Sequence, residues 1–119
     1  MQRTTLAGAL TVATLAVAFI AGVPHRAASQ DAALVKKGQE VYTAQKCQMC
    51  HAIEGKGNKM NPLDGVGTKL SADEIRSWIV DPAAMTAKTK STKKPPMPAK
   101  YKLPPAELDA LVAYMQSLK

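Results

Sequence analysis

The sequence predicts an all-α fold, with three main helices joined by long loops in one small domain. Three observations carry that expectation. Apolar residues recur at helical spacing in three separate stretches, each of these stretches opens on a helix start signal, and no segment sustains period-two alternation. The chain has 119 residues and no internal repeat.

The first segment reads as a targeting signal. Met1-Gln2-Arg3 is a short basic start, and Leu6 to Val23 then runs 18 residues without a charge. Pro24-His25-Arg26 interrupts the run, and Ala27 and Ser29 stand at −3 and −1 of a cleavage point after Ser29. That length is also the lower edge of a spanning helix. Residues 1–29 are therefore expected to be a cleaved signal peptide or, in the alternative, a retained N-terminal anchor. Both place residues 30–119 in an oxidising space outside the cytoplasm, either free in a periplasm or anchored to the outer face of the inner membrane.

Residues 30–119 hold one Trp and three Tyr, and the single Phe, Phe19, falls in the targeting segment. A core this poor in large side chains needs a metal, a disulfide or a bound cofactor. Two Cys exclude a disulfide-rich scaffold, and the length excludes a multidomain enzyme. A hydrophobic content of 46% with a net charge of +7 disfavours an acidic disordered protein.

Asp31 is placed to cap a first helix over 32–46, with Leu34, Val41, Tyr42 and Gln45 near one face and Gly38 on or beside it. Gly in a helix costs about 1 kcal/mol against Ala. It is either merely tolerated or required because another helix passes close; the terminal helix is a suitable partner. Residues 52–70, with Gly55, Gly57, Gly65, Gly67, Asn58, Asn61, Pro62 and Asp64, read as an ordered loop. Ser71 and Glu74 form a capping box that opens a helix to about Val80, where Asp81-Pro82 stops it. Ile75, Trp78 and Ile79 make its apolar face. Residues 86–102 read as a loop rich in Lys and Pro. Pro104-Pro105 introduces a last helix over 105–118, striped by Leu108, Leu111, Val112, Met115 and Leu118. Loops this long in so small a domain are expected to wrap a ligand.

Cys47-Gln48-Met49-Cys50-His51 names that ligand. C-x-x-C-H is the attachment pattern of c-type haem. Two thiols three residues apart on one turn reach two vinyl groups of a porphyrin, and the next residue presents an imidazole to the iron. The competing readings are a disulfide, a redox dithiol and a zinc site. A thioredoxin-like dithiol expects a βαβ context that is missing, and zinc lacks ligands because the other His, His25, lies in the targeting segment. A buried porphyrin would also supply the missing core, at about 25 cal/mol per Å² of apolar area.

With that motif in place, residues 32–119 resemble the class I cytochrome c family in its small bacterial form. The resemblance rests on the first helix, Cys47–His51, the Gly-rich loop with Pro62, the Trp-bearing middle helix, Met97 between prolines and the terminal helix through Leu118. It implies the cytochrome c fold around one covalent haem c, and a single-electron carrier between respiratory or dehydrogenase partners. It implies no enzyme activity and a monomer. It further implies that the Pro62 carbonyl accepts the Nδ1–H of His51, and that Gly38, Tyr42, Leu111 and Tyr114 form the crossing of first and last helices. Trp78 would donate Nε1–H to a haem propionate; plain packing with Ile75 and Ile79 is the alternative.

The second axial ligand is sought among five Met. Met49 lies inside the motif, Met60 is only nine residues past His51, and Met115 belongs to a helical stripe. Met85 and Met97 sit in loops. Met97 is stiffened by Pro95, Pro96 and Pro98, which holds a thioether at low entropic cost. The family's Met ligand also lies shortly before the terminal helix, so Met97 is the expected partner of His51, against an incidental Met in a surface loop. Filled axial sites favour electron transfer over catalysis or gas sensing, the reading that needs an open sixth site.

Residues 30–119 carry a net charge of +5, and Lys88, Lys90, Lys93, Lys94, Lys100 and Lys102 fall within 15 residues that hold no acid. Such a run is either a solvated loop or a basic ring around the haem edge that steers acidic redox partner proteins, such as oxidase, reductase or dehydrogenase subunits. Nucleic acid is not expected, since no aromatics interleave the Lys run. Membrane contact is expected only if the N-terminal segment is retained. A dedicated subunit of a larger oxidoreductase complex is the alternative to a free shuttle.

Overall fold

The computed structural model describes residues 25–119. The apolar run Leu6–Val23 lies outside the described residues. No helix among the described residues is long and apolar enough to cross a membrane.

Helix α1 spans His25–Ala44, so it begins well before the expected start. Asp31 is not its cap but lies inside it. Ala27, Ala28, Ala32 and Ala33 are strong helix formers, and no Pro or Gly intervenes before Gly38. Residues 31–37 are exposed apart from half-buried Val35, and the buried face begins at Gly38.

After α1, Lys46 turns the chain at φ 57° into a short 3₁₀ turn over Cys47–Met49. The expected loop 52–70 contains two small elements. Strands β1 (Ala52–Ile53) and β2 (Lys56–Gly57) pair antiparallel, Ala52 opposite Gly57. Glu54 and Gly55 join them, both with positive φ (50° and 73°), the backbone of a tight primed hairpin turn. Helix α2 (Val66–Lys69) follows.

Helix α3 (Ala72–Val80) opens on the expected capping box. The Glu74 amide donates to Ser71 Oγ at 3.2 Å, and the Ser71 amide donates to Glu74 Oε2 at 2.9 Å. Asp81-Pro82 does end α3, but it also starts α4 (Pro82–Thr89), which removes residues 86–89 from the expected loop. Asp81 accepts the Ala84 amide at 3.0 Å, and Pro82 occupies the first turn, where its missing N–H costs nothing. Helix α5 runs Pro105–Ser117. Among the described residues five α-helices and one hairpin of two-residue strands thus replace the three main helices expected, within the same all-α class.

The core gathers Val41, Tyr42, Ile53, Ile75, Ile79, Leu111, Val112 and Met115. Its axis is the crossing of α1 and α5. A Cβ on Gly38 would run into the Ala110 carbonyl and stand 2.6 Å from Tyr114 Cβ, so only Gly permits this approach. Tyr42 and Tyr114 meet edge to face beside it, 5.9 Å between ring centroids. The Gly67 amide bonds the Leu118 carbonyl at 2.8 Å and Gln116 Nε2 bonds the Leu70 carbonyl at 2.8 Å, which ties α2 to the end of α5.

Candidate functional site

Between the Cys47–Met49 turn, α3, α4, α5 and the 93–98 segment lies a cavity of about 530 Å³. Its floor is apolar: Leu63, Val66, Leu70, Ile75, Ile79 and Leu111 line it. Cys47, Cys50, His51, Trp78 and Met97 all stand in the wall of this one cavity. Pro62 does not; its neighbours Asn61 and Leu63 do.

The attachment segment is held by its own backbone. The Cys50 amide donates to the Cys47 carbonyl at 3.1 Å, and the His51 amide donates to the same oxygen at 2.9 Å. The turn is tight enough to put two thiols and the imidazole on one cavity. Both cysteines are free thiols, Cys47 half-buried and Cys50 exposed. Burial pushes the Cys47 thiol pKa up, with Cys50 adding and Lys100 opposing.

His51 is half-buried, and its Nδ1 lies 3.1 Å from the Asn61 carbonyl. A carbonyl only accepts, so Nδ1 carries the proton and Nε2 is left free to bind a metal. Burial lowers the His51 pKa, opposed by this bond, and favours the neutral imidazole that metals bind. The expected acceptor, Pro62, is corrected to Asn61. The Ala52 amide bonds the Asn61 carbonyl at 3.3 Å, and the Leu63 amide bonds the Ala52 carbonyl at 2.8 Å. These two bonds fix the register, and successive carbonyls of an extended chain point to opposite sides. Asn61 faces the histidine, and Pro62 does not. Asn61 Nδ2 also donates to the Cys50 carbonyl at 3.3 Å.

The hairpin braces the same turn from below. The Asn58 amide reaches the Gln48 and His51 carbonyls at 3.0 and 3.1 Å, and Asn58 Nδ2 reaches the Met49 carbonyl at 3.2 Å. Gly57, at φ 105°, has no room for a Cβ against the His51 carbonyl. Tyr42 Oη lies 3.4 Å from that carbonyl, and burial pushes its pKa up to about 12. Asn58 and Asn61 are recognisable in sequence only as loop formers; their partners lie across the hairpin.

Of the other methionines, Met85 is buried on α4 and is not part of the wall, and Met49 is 69% exposed. Met115 and Met60 also line the wall, Met115 buried among the apolar side chains of α5 and Met60 68% exposed. Met97 is half-buried in the wall, between Pro95, Pro96 and Pro98.

An apolar cavity floor, two free thiols on one turn, an imidazole with Nε2 available and a thioether in the same wall are the donor set and shape that a covalently held haem requires. Among the described residues no cluster of three or more His, Cys, Asp or Glu side chains is placed to hold a metal ion. Searches of curated proteins and of solved structures returned no match. The family model for Cytochrome c matches residues 35–119. Members carry covalently attached haem c, and Cys47 and Cys50 occupy the attachment positions. From Val35 to its last residue, then, this chain belongs to the cytochrome c family, the haem-binding electron carriers.

Proposed function

We propose that this protein is an exported single-electron shuttle whose haem iron is ligated by His51 and Met97. The observation that carries the reading is the convergence of Cys47, Cys50, His51 and Met97 on one apolar cavity. When bound, the haem supplies the one-electron iron couple. The chain supplies the rest. Cys47 and Cys50 hold the group against loss, and Asn61 orients the His51 ring and raises its basicity. The prolines beside Met97 limit the movement of its sulfur between oxidation states. With His51 and Met97 both holding the iron, the thioether would favour its reduced state and raise the potential, and no position would be left on the metal for an external substrate. This is a carrier, not an enzyme.

The targeting reading of residues 1–29 puts the domain in the periplasm. Lys93 and Lys94 stand in the cavity wall itself, and Lys100 stacks over Tyr101, 5.4 Å from its ring centroid. Basic side chains at this edge suit an acidic redox partner held by a small, transient interface.

The test is a visible spectrum of the purified holoprotein, oxidised and reduced, beside Met97→Ala. The native form should be low-spin and should not bind CO. Met97→Ala should lose the low-spin signature, drop in potential and take up CO. An unchanged spectrum and potential in that variant would remove Met97 from the iron. Electron transfer to an acidic partner should slow as salt rises; a flat response removes the steering role of the lysines.

A further inference from the structure

The thioethers of this domain fall into two groups. Met85 and Met115 are buried and Met97 is half-buried, whereas Met49 and Met60 are 69% and 68% exposed. Exposure sets how readily a thioether is oxidised, because the oxidant must reach the sulfur. Met49 and Met60 are alike in that respect and differ in what lies beside them. Met49 belongs to the attachment turn but not to the cavity wall, and Met60 stands in that wall.

The backbone holds Met60 in place from both sides. Its amide donates to Asn58 Oδ1 at 3.0 Å, and Asn58 Nδ2 donates to the Met49 carbonyl at 3.2 Å. The next residue, Asn61, accepts the His51 Nδ1 hydrogen on its carbonyl at 3.1 Å. Withdrawing Met60 from the wall would therefore disturb the same bonds that orient His51. One side of this side chain joins an apolar wall, and the other meets solvent.

We propose that Met60 is a reversible oxidation site, through which hydrogen peroxide sets the carrier to a lower potential. The inference rests on the reading that this cavity holds the haem. One oxygen passes from peroxide to sulfur. The O–O bond breaks and an S–O bond forms; the thioether is oxidised by two electrons, and the other oxygen leaves with both hydrogens as water. The sulfoxide is polar where the thioether was apolar. Added polarity beside the haem favours the ferric iron, which carries the extra charge, and lowers the potential. Enzymatic reduction of the sulfoxide by a dithiol returns the thioether and releases water.

The experiment treats ferric holoprotein with dilute hydrogen peroxide and removes the excess with catalase. Peptide mass spectrometry then locates the added oxygen, and redox titration measures the midpoint. Met49 and Met60 should each gain one oxygen before Met85, Met97 or Met115 changes. The low-spin spectrum should persist and the midpoint should fall. The fall should be absent in Met60→Leu, present in Met49→Leu, and reversed in the parent by methionine sulfoxide reductase with a dithiol. Met60 left unmodified while Met49 is fully oxidised overturns the proposal, and so does an equal fall in Met60→Leu. Both of those results leave the haem reading standing. A parent chain that carries no covalent pigment overturns the two together, and its lack of colour identifies that case.

Discussion

Gly38→Ala tests the helix crossing on which the domain is built, because two physical effects of opposite sign compete there. In an isolated helix the change would stabilise, since Gly is worse than Ala by roughly 0.5–1 kcal/mol in a helix interior. In this fold the new methyl would meet the Ala110 carbonyl and sit 2.6 Å from Tyr114 Cβ. A backbone carbonyl cannot rotate out of the way, so α1 and α5 must separate. Separation loosens the packing of Val41, Tyr42, Leu111 and Met115 together. Overpacking of this kind costs about 1–3 kcal/mol, and a rigid neighbour places it at the upper end. The net expectation is a loss of about 2 kcal/mol after the propensity gain. For a domain of this size that is a fall in Tm of roughly 8–16 °C. Thermal unfolding of the holoprotein, followed by far-UV circular dichroism and by haem absorbance, measures it. The sign decides the matter: a Gly38→Ala protein as stable as the parent, or more stable, refutes the close crossing.

Two further outcomes follow from local geometry. Glu74 has its pKa held below the ordinary carboxylate value by bonds from the Ser71 amide and then the Ser71 hydroxyl. A depressed pKa means the capping contribution is complete above the unfolded value of about 4.3 and is lost as pH falls through the lower folded value. Acid titration of stability should therefore show a smaller loss in Glu74→Gln than in the parent, and identical acid profiles would remove the box from the account. Lys90 holds a left-handed conformation at φ 52° to close α4. Lys90→Gly should relieve that backbone and raise stability by about 0.5–1 kcal/mol in urea unfolding, where no rise in midpoint would contradict the geometry.

The sequence by itself determined the all-α class, the attachment motif, the capping box of α3, the span of α5 and the special status of Gly38. Each is a local signal: a spacing, a cap pair or a missing side chain, whose meaning needs only nearby residues. Convergence of Cys47, His51, Trp78 and Met97 on one cavity followed from them through the family resemblance. Tertiary structure decided what local signals leave open. Asp81-Pro82 carries equal chemistry for ending one helix and beginning another, and only packing of Pro82 and Met85 into the interior selects both. Whether Asn61 or Pro62 faces His51 is a matter of register, which is set by the bonds of the Ala52 and Leu63 amides where the 61–63 segment runs parallel to Ala52, outside the hairpin. Asp31 has a cap's chemistry, yet the alanines before it extend the helix past it. Helix starts, stops and turns are cheap to misplace by a few residues, because a bond to a distant backbone group can outweigh a preference of well under 1 kcal/mol per residue.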